Sequence, residues 1–462
     1  MKTHNLIYEI QFLRSISIFL VLLFHFDVFL FKGGFVGVDI FFTISGYLIT
    51  SIILTSKKFS LINFYYKRGK RILPSLYLII LLSLVAGYYI LSPIHFERLI
   101  NSSKFSLVAL SNFFFYQETG YFDYNKFFKP LLHTWSLAVE IQYYIIWPII
   151  LLIIRKIFKI NLFIPILLIL SLSLLLSYLY SSRTDGFFYF TGFRLFEFCI
   201  GSLTFLILKK RKFRNDYLFF LGLILIFFSS TFYNNNLDFP GIYALLPCLG
   251  AALIILFQIP KRLIFIKNNF FINYTAKISY TLYLVHWPIL VFYRYEKIDL
   301  ITLPEKITLL IISYLVSVVI YEIYEKKIRY PSKLKIKEIY FFSIVFFSIV
   351  ICFSPFLENL NKKKTSKEFK NNRIIQSVFE GRKTKNEIEN QILLEAKKEG
   401  FFSRKQNLNN IVILGDSHAF DLYLAIKSLK KQNKINKYVY QNFEYIYCFK
   451  KKTLQDNVIE TI

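Results

Sequence analysis

Residues 133–150 read HTWSLAVEIQYYIIWPII. From Ile141 onward the run could sit in lipid, yet its mouth carries a histidine, a serine and a glutamate. A membrane-crossing helix needs about 20 mostly apolar residues. Ionisable groups inside it are costly, so they need partners or a task. Helical geometry puts His133 and Glu140, two turns apart, on one face with Ser136 between them. Two readings stand: a polar mouth that lines a functional entry, or a helix N-terminus with interfacial polar residues.

The rest of the chain decides that this is a membrane helix. It has 462 residues, 55% hydrophobic, with 53 Phe and 33 Tyr. Mean hydropathy is +0.46. Long apolar runs of this kind point to a polytopic membrane protein. The net charge of +28 sits in short loops between those runs, where membrane topology places it, so it argues for no nucleic-acid partner. Cys199, Cys248, Cys352 and Cys448 have no paired spacing, which makes neither a disulfide framework nor a metal site. The N-terminal run from Ile10 to Phe31 contains Arg14 and His25 and lacks a small-residue cleavage site, so it reads as a retained helix.

Eleven candidate spans follow, near 10–31, 35–55, 73–92, 133–154, 162–180, 187–208, 217–233, 241–258, 277–295, 306–325 and 339–357. A short apolar segment near 105–116 reads as a loop or interfacial helix. With the N-terminus inside, the inner loops hold KRGKR (67–71), RKIFK (155–159), KKRKFR (209–214) and KKIRYPSKLKIK (326–337). The opposite loops hold far fewer Lys and Arg, as the positive-inside rule requires. Eleven crossings place everything after about Leu357 outside. The expected fold is therefore an all-α polytopic membrane protein of about ten helices over 1–330. An eleventh helix (331–360) and a charged linker (361–410) lead to an α/β unit (411–462). There Ile411–Leu414 reads as a buried strand, Gly415–His418 as a turn and Ala419–Lys430 as an amphipathic helix.

Several groups could carry chemistry. Arg14, Ser17, Val21 and His25 share one face of the first helix, and Arg14 and His25 stand roughly 16 Å apart along it. Asp39 opens the second span at a depth comparable to His25, so a His–carboxylate pair is geometrically possible. Arg68 and Arg71 lie one helical turn apart; they suit a diphosphate or are plain inner-loop charge. Arg194 and Glu197 are spaced for an intrahelical ion pair. His286 sits within the ninth span, with Tyr283 one turn earlier.

Six stretches in order, FLRSISIFLVLLFH (12–25), GGFVGVDIFFTISGYLI (33–49), KRGKRILP (67–74), HTWSLAVEIQYY (133–144), RLFEFCIGSL (194–203) and SYTLYLVHWPI (279–289), resemble the acyltransferase-3 family of membrane O-acyltransferases. The resemblance spans about residues 5–325. It implies ten membrane helices in a bacterial inner membrane and a cytoplasmic acyl-CoA donor, acetyl-CoA foremost. The acyl group goes to a hydroxyl of an envelope glycan such as lipopolysaccharide O-antigen or peptidoglycan. It also implies that Arg14, His25, Arg68 and Arg71 match positions tied to activity. The tail is similar to the SGNH hydrolase-like domain often fused to this family, and GDSH (415–418) makes Ser417 its candidate nucleophile. A serine nucleophile needs a base, and no His follows His418, nor a Gly Gly415. The expectation is an incomplete domain with Ser417 inert.

These residues suggest an expected division of labour. Arg68 and Arg71, helped by Arg14, hold the phosphates. His25 acts as general base, Asp39 or Glu140 stabilises its imidazolium, and His133 faces the acceptor side. A transporter or flippase for a lipid-linked saccharide, and an inactive remnant, are the competing readings.

Overall fold

The computed structural model describes residues 8–118, 128–158, 161–181, 188–210, 213–234, 237–297, 301–329, 356–357, 359–360, 409–415 and 443–450. The chain divides into two units, Met1–Glu358 and Asn359–Ile462.

The described part of the first unit is all-helical. In order it contains α1 (Tyr8–His25), α2 (Gly37–Thr55), α3 (Leu61–Ile90), α4 (Pro93–Leu107), α5 (Ser111–Glu118), α6 (Thr134–Ile153) and α7 (Phe163–Ser181). Then come α8 (Thr191–Lys210), α9 (Asp216–Phe232), α10 (Leu245–Phe257), α11 (Ile264–Asn268), α12 (Phe270–Glu296), α13 (Leu303–Ile320) and α14 (Lys326–Arg329). Each of the ten spans expected over 1–330 falls on a helix. Among the described residues, seven helices are long and apolar enough to cross a membrane: α1, α2, α3, α6, α7, α8 and α13. The bent pair Leu245–Phe257 and Lys261–Asn268, at 96° to each other, makes an eighth if it is one span. Helix α9 is shorter. Helix α12 is long but mixes tyrosine, serine, threonine and His286 into its apolar sequence.

Three boundaries differ from expectation. The third span was expected at 73–92, but α3 begins at Leu61, and the KRGKR run lies within it. Lys and Arg are good helix formers, and the Ser60 side chain caps the start by accepting from the Asn63 N–H at 3.4 Å. The segment near 105–116 is divided between α4 and α5. Beyond α13, Tyr321–Glu325 forms a π-helical turn, a distortion that is frequent at functional sites. The expected eleventh span lies outside the described residues, apart from 356–357.

Helix α2 is the hub: 78% of its best apolar window is buried, against 17% for α7 and 22% for the α13 segment. Leu168 and Leu172 of α7 and Leu315 of α13 stay exposed, as helices do when lipid covers their outer face. Helix α2 meets α8 at the closest crossing. A Cβ on Gly46 would run into the Phe198 carbonyl, and one on Gly201 into the Thr43 carbonyl. Small residues bring backbones together where the apolar solvent gives no hydrophobic drive. Helix α1 lies between α2 and α12.

The second unit's described residues form two parallel strands, β1 (Asn409–Gly415) and β2 (Phe443–Lys450), with Ile413 opposite Cys448. The expected strand 411–414 lies within β1. Of the expected turn 415–418, Gly415 instead ends β1; the rest of it, with Ser417 and the expected helix 419–430, lies outside the described residues.

Candidate functional site

A cavity opens among α1, α2, α3, α6 and α12. Arg14, Ser45, Arg71, Glu140, Ser136 and Tyr283 line it, among others. The first helix brings Arg14 to its wall, with the neighbouring Ser17 hydroxyl bonded back to the Leu13 carbonyl at 2.7 Å. Helix α3 supplies Arg71 from the basic run. Arg68, one turn away, lies over the rings of Phe64 at 5.7 Å and Tyr144 at 5.8 Å. Helix α6 supplies Glu140, which accepts from the hydroxyls of Ser45 and Tyr144.

A fourth guanidinium joins them. Arg329 of α14 is an electrostatic neighbour of both Arg14 and Arg68. It lies 3.5 Å from Glu325, whose other oxygen accepts from Thr281 and, at 3.5 Å, from Ser75. Among the described residues, four guanidiniums here face two carboxylates, Glu140 and Glu325. That leaves an excess of positive charge in a largely desolvated place, a condition that favours an anion. Sequence reasoning missed Glu325 and Arg329, which it read as the end of the tenth span and the start of a basic loop. Their spacing of four residues was the available signal.

The histidines gather at the other end of α1. His25 Nδ1 is 2.8 Å from His286 Nε2. The Trp287 ring centroid is 4.6 Å from that of His25, and the indole N–H donates to the Lys129 carbonyl at 2.9 Å. His133 stands just before α6, buried, with its ring 5.5 Å from Tyr283 and 6.1 Å from His286. Tyr283 connects the two ends. It lines the cavity, its hydroxyl lies 2.6 Å from Ser136 Oγ and donates to the His133 carbonyl at 2.9 Å, and its ring is 5.6 Å from that of His286.

Two expected partnerships fail. Asp39 does not pair with His25. It is held by Arg194, whose Nη1 donates to Asp39 Oδ1 at 2.6 Å and to Glu197 Oε1 at 2.9 Å, confirming the Arg194–Glu197 pair within α8. The guanidinium also lies 4.3 Å over Phe188. Both carboxylates are buried on α2 and α8, and a carboxylate removed from water takes the nearest cation. Glu140 likewise does not reach His25, because it points into the arginine cavity. The shared face of His133, Ser136 and Glu140 holds, but the two ionisable groups serve different ends of the site. Among the described residues, no cluster suited to a metal occurs.

The sequence matches the family described as "Acyltransferase domain" over residues 7–322. An uncharacterised protein of Haemophilus influenzae is 37% identical over 235 residues, covering 47% of this chain and 96% of that protein. The peptidoglycan O-acetyltransferase OatA of Listeria monocytogenes is 34% identical over 204 residues, 42% of this chain and 32% of the enzyme. A Staphylococcus aureus (strain COL) protein named "Putative O-acetyltransferase" is 30% identical over 312 residues, 62% of this chain and 51% of its own. The chain thus spans about a third and about half of these last two. No solved structure matches.

Proposed function

The chain belongs to the acyltransferase-3 family of membrane proteins, and from that premise we propose that it moves an acyl group, acetyl foremost, from acyl-CoA to a hydroxyl of a cell-envelope glycan. The observation that carries this reading is the cavity itself. An arginine-rich end suited to phosphates runs to Tyr283, whose ring touches the histidine cluster. Arg14 and His25 are roughly 16 Å apart along α1, a span that an extended pantetheine arm covers.

In this mechanism Arg14, Arg68, Arg71 and Arg329 hold the phosphates of the donor. Glu140 and Glu325 keep the guanidiniums apart and oriented, since four unscreened cations would repel one another. His25 takes the proton of the acceptor hydroxyl as that oxygen attacks the thioester carbonyl. The acceptor is a saccharide of the envelope, peptidoglycan or lipopolysaccharide O-antigen among the candidates. The name of the Listeria relative supports the first.

We read the first unit as ten crossings, α9 and α12 included, in the inner membrane with the N-terminus in the cytoplasm. The charge asymmetry of the loops supports that orientation. The tail is read as part of an SGNH hydrolase-like domain, supported by GDSH and the parallel pair β1–β2.

The test is transfer of labelled acetyl from acetyl-CoA into envelope glycan, in cells making the chain, His25→Ala or Ser417→Ala. Label that needs His25 supports the reading, and the Ser417→Ala arm shows whether the tail serine takes part. No label in any strain, with folded protein in the membrane, overturns it.

A further inference from the structure

The histidine cluster carries more information than the position of a base. His286 is fully buried on α12, and its Nδ1 lies 3.0 Å from the Leu282 carbonyl. A carbonyl oxygen only accepts, so Nδ1 carries the proton, and the neutral ring is left with Nε2 as an acceptor. That Nε2 is 2.8 Å from His25 Nδ1. The two rings are 14° from coplanar with centroids 5.1 Å apart. This separation is close to the N···N distance plus one ring radius at each end. The contact is therefore an edge-to-edge hydrogen bond in a common plane, not a face-to-face stack. Because His286 Nε2 accepts, His25 Nδ1 donates. In neutral His25 the unprotonated, basic nitrogen is then Nε2.

We propose that His286 is a positioning residue that fixes the tautomer and ring orientation of His25, so that Nε2 is the base. This rests on the reading of His25 as general base given above. The chain runs from His25 Nδ1–H to His286 Nε2, and from His286 Nδ1–H to the Leu282 carbonyl. It has the logic of an oriented histidine in a serine hydrolase, with a neutral acceptor where those enzymes use a carboxylate. A neutral acceptor suits this location, because it orients the imidazole without burying another charge. Asp39, at comparable depth, is already held by Arg194.

The step balances simply. The acceptor hydroxyl loses its proton to His25 Nε2 while its oxygen forms the new C–O bond. The C–S bond of the thioester breaks, and the proton passes from Nε2 to the departing thiolate, giving the ester and free CoA thiol. Throughout, His25 Nδ1–H stays bonded to His286.

The test uses the full chain in lipid vesicles with acetyl-CoA and an acceptor glycan, comparing His25→Ala with His286→Leu, His286→Asn and His286→Gln. Leucine removes the acceptor. Asparagine keeps an amide but is too short to reach His25. Glutamine places its carbonyl oxygen near the Nε2 position. The expected result is a fall in kcat of about 100-fold or more for leucine and asparagine, with KM for acetyl-CoA within about twofold. Glutamine should recover most of the loss. Nitrogen-15 NMR of histidine-labelled protein, assigned by difference against His25→Gln, should show His25 protonated on Nδ1 in the native chain. In His286→Leu the proton should move to Nε2. Equal activity in the glutamine and asparagine variants, or a native His25 protonated on Nε2, overturns the proposal. An inactive His25→Ala beside a fully active His286→Leu sinks the positioning role while leaving the base in place. A fully active His25→Ala would remove the base, and the positioning role with it. Retained melting temperature in the leucine and asparagine variants separates lost chemistry from misfolding.

Discussion

Arg194 shows most plainly what burial does to a single residue. Its guanidinium is 1% exposed and holds two carboxylates, one on its own helix and one on α2. Taking ionisable groups out of water is expensive, and removing one partner leaves the others uncompensated. Arg194→Gln should therefore destabilise the chain by about 3–5 kcal/mol, seen as a lower melting temperature and less folded protein in detergent. Arg71 tests the opposite case, a charge held for a ligand. It lines the cavity, so Arg71→Ala should raise KM for acyl-CoA by about 10–100-fold, the worth of one charged hydrogen bond. Its kcat should change much less. An unchanged KM would remove Arg71 from the donor site.

At the scale of elements, the crossing of α2 and α8 is the joint on which the site depends. It sets where Asp39 and Ser45 stand relative to α8. Gly46 and Gly201 let the two backbones touch, and no side chain can be added there without moving one helix. Gly201→Ala should lower folded yield and transfer activity together. Gly192→Ala, in the same helix with nothing near the added methyl, should be neutral or stabilising by up to about 1 kcal/mol. Thermal melts of the two variants side by side check this. The sequence marked α2 and α8 as apolar runs, but helical period alone does not say which faces meet. The glycines were visible at 46 and 201, yet only the crossing explains them.

For the whole molecule, orientation is the property most open to a direct check. Lys32 and Lys57 are exposed at opposite ends of α2. With Cys352 and Cys448 replaced by serine, and Cys199 and Cys248 buried, a membrane-impermeant maleimide should label Lys32→Cys in intact cells. It should label Lys57→Cys only after permeabilisation. The reverse pattern would invert the topology and place the arginine cavity on the outer side, away from cytoplasmic acyl-CoA.

The ten long helices expected over 1–330 and the strand at β1 were legible in the sequence, whereas α4 and the first turns of α3 were not. Apolar run length and period are local properties, and each helix satisfies its own backbone. The sequence also singled out Arg14, His25, Glu140, His133 and His286, because an ionisable residue in or at the mouth of an apolar run stands out without any knowledge of its neighbours; Arg68 and Arg71, in the basic run 67–71, stood out only through the family resemblance. The pairing of those groups came from the packing of the helices. Asp39 went to Arg194 instead of His25, Glu140 joined the arginines, and His286 became the partner of His25. Those choices depend on which helix faces meet, 261 residues apart in the case of the two histidines. A buried charge or imidazole takes the nearest group that satisfies it, and nearness across helices is set by packing that no local pattern encodes.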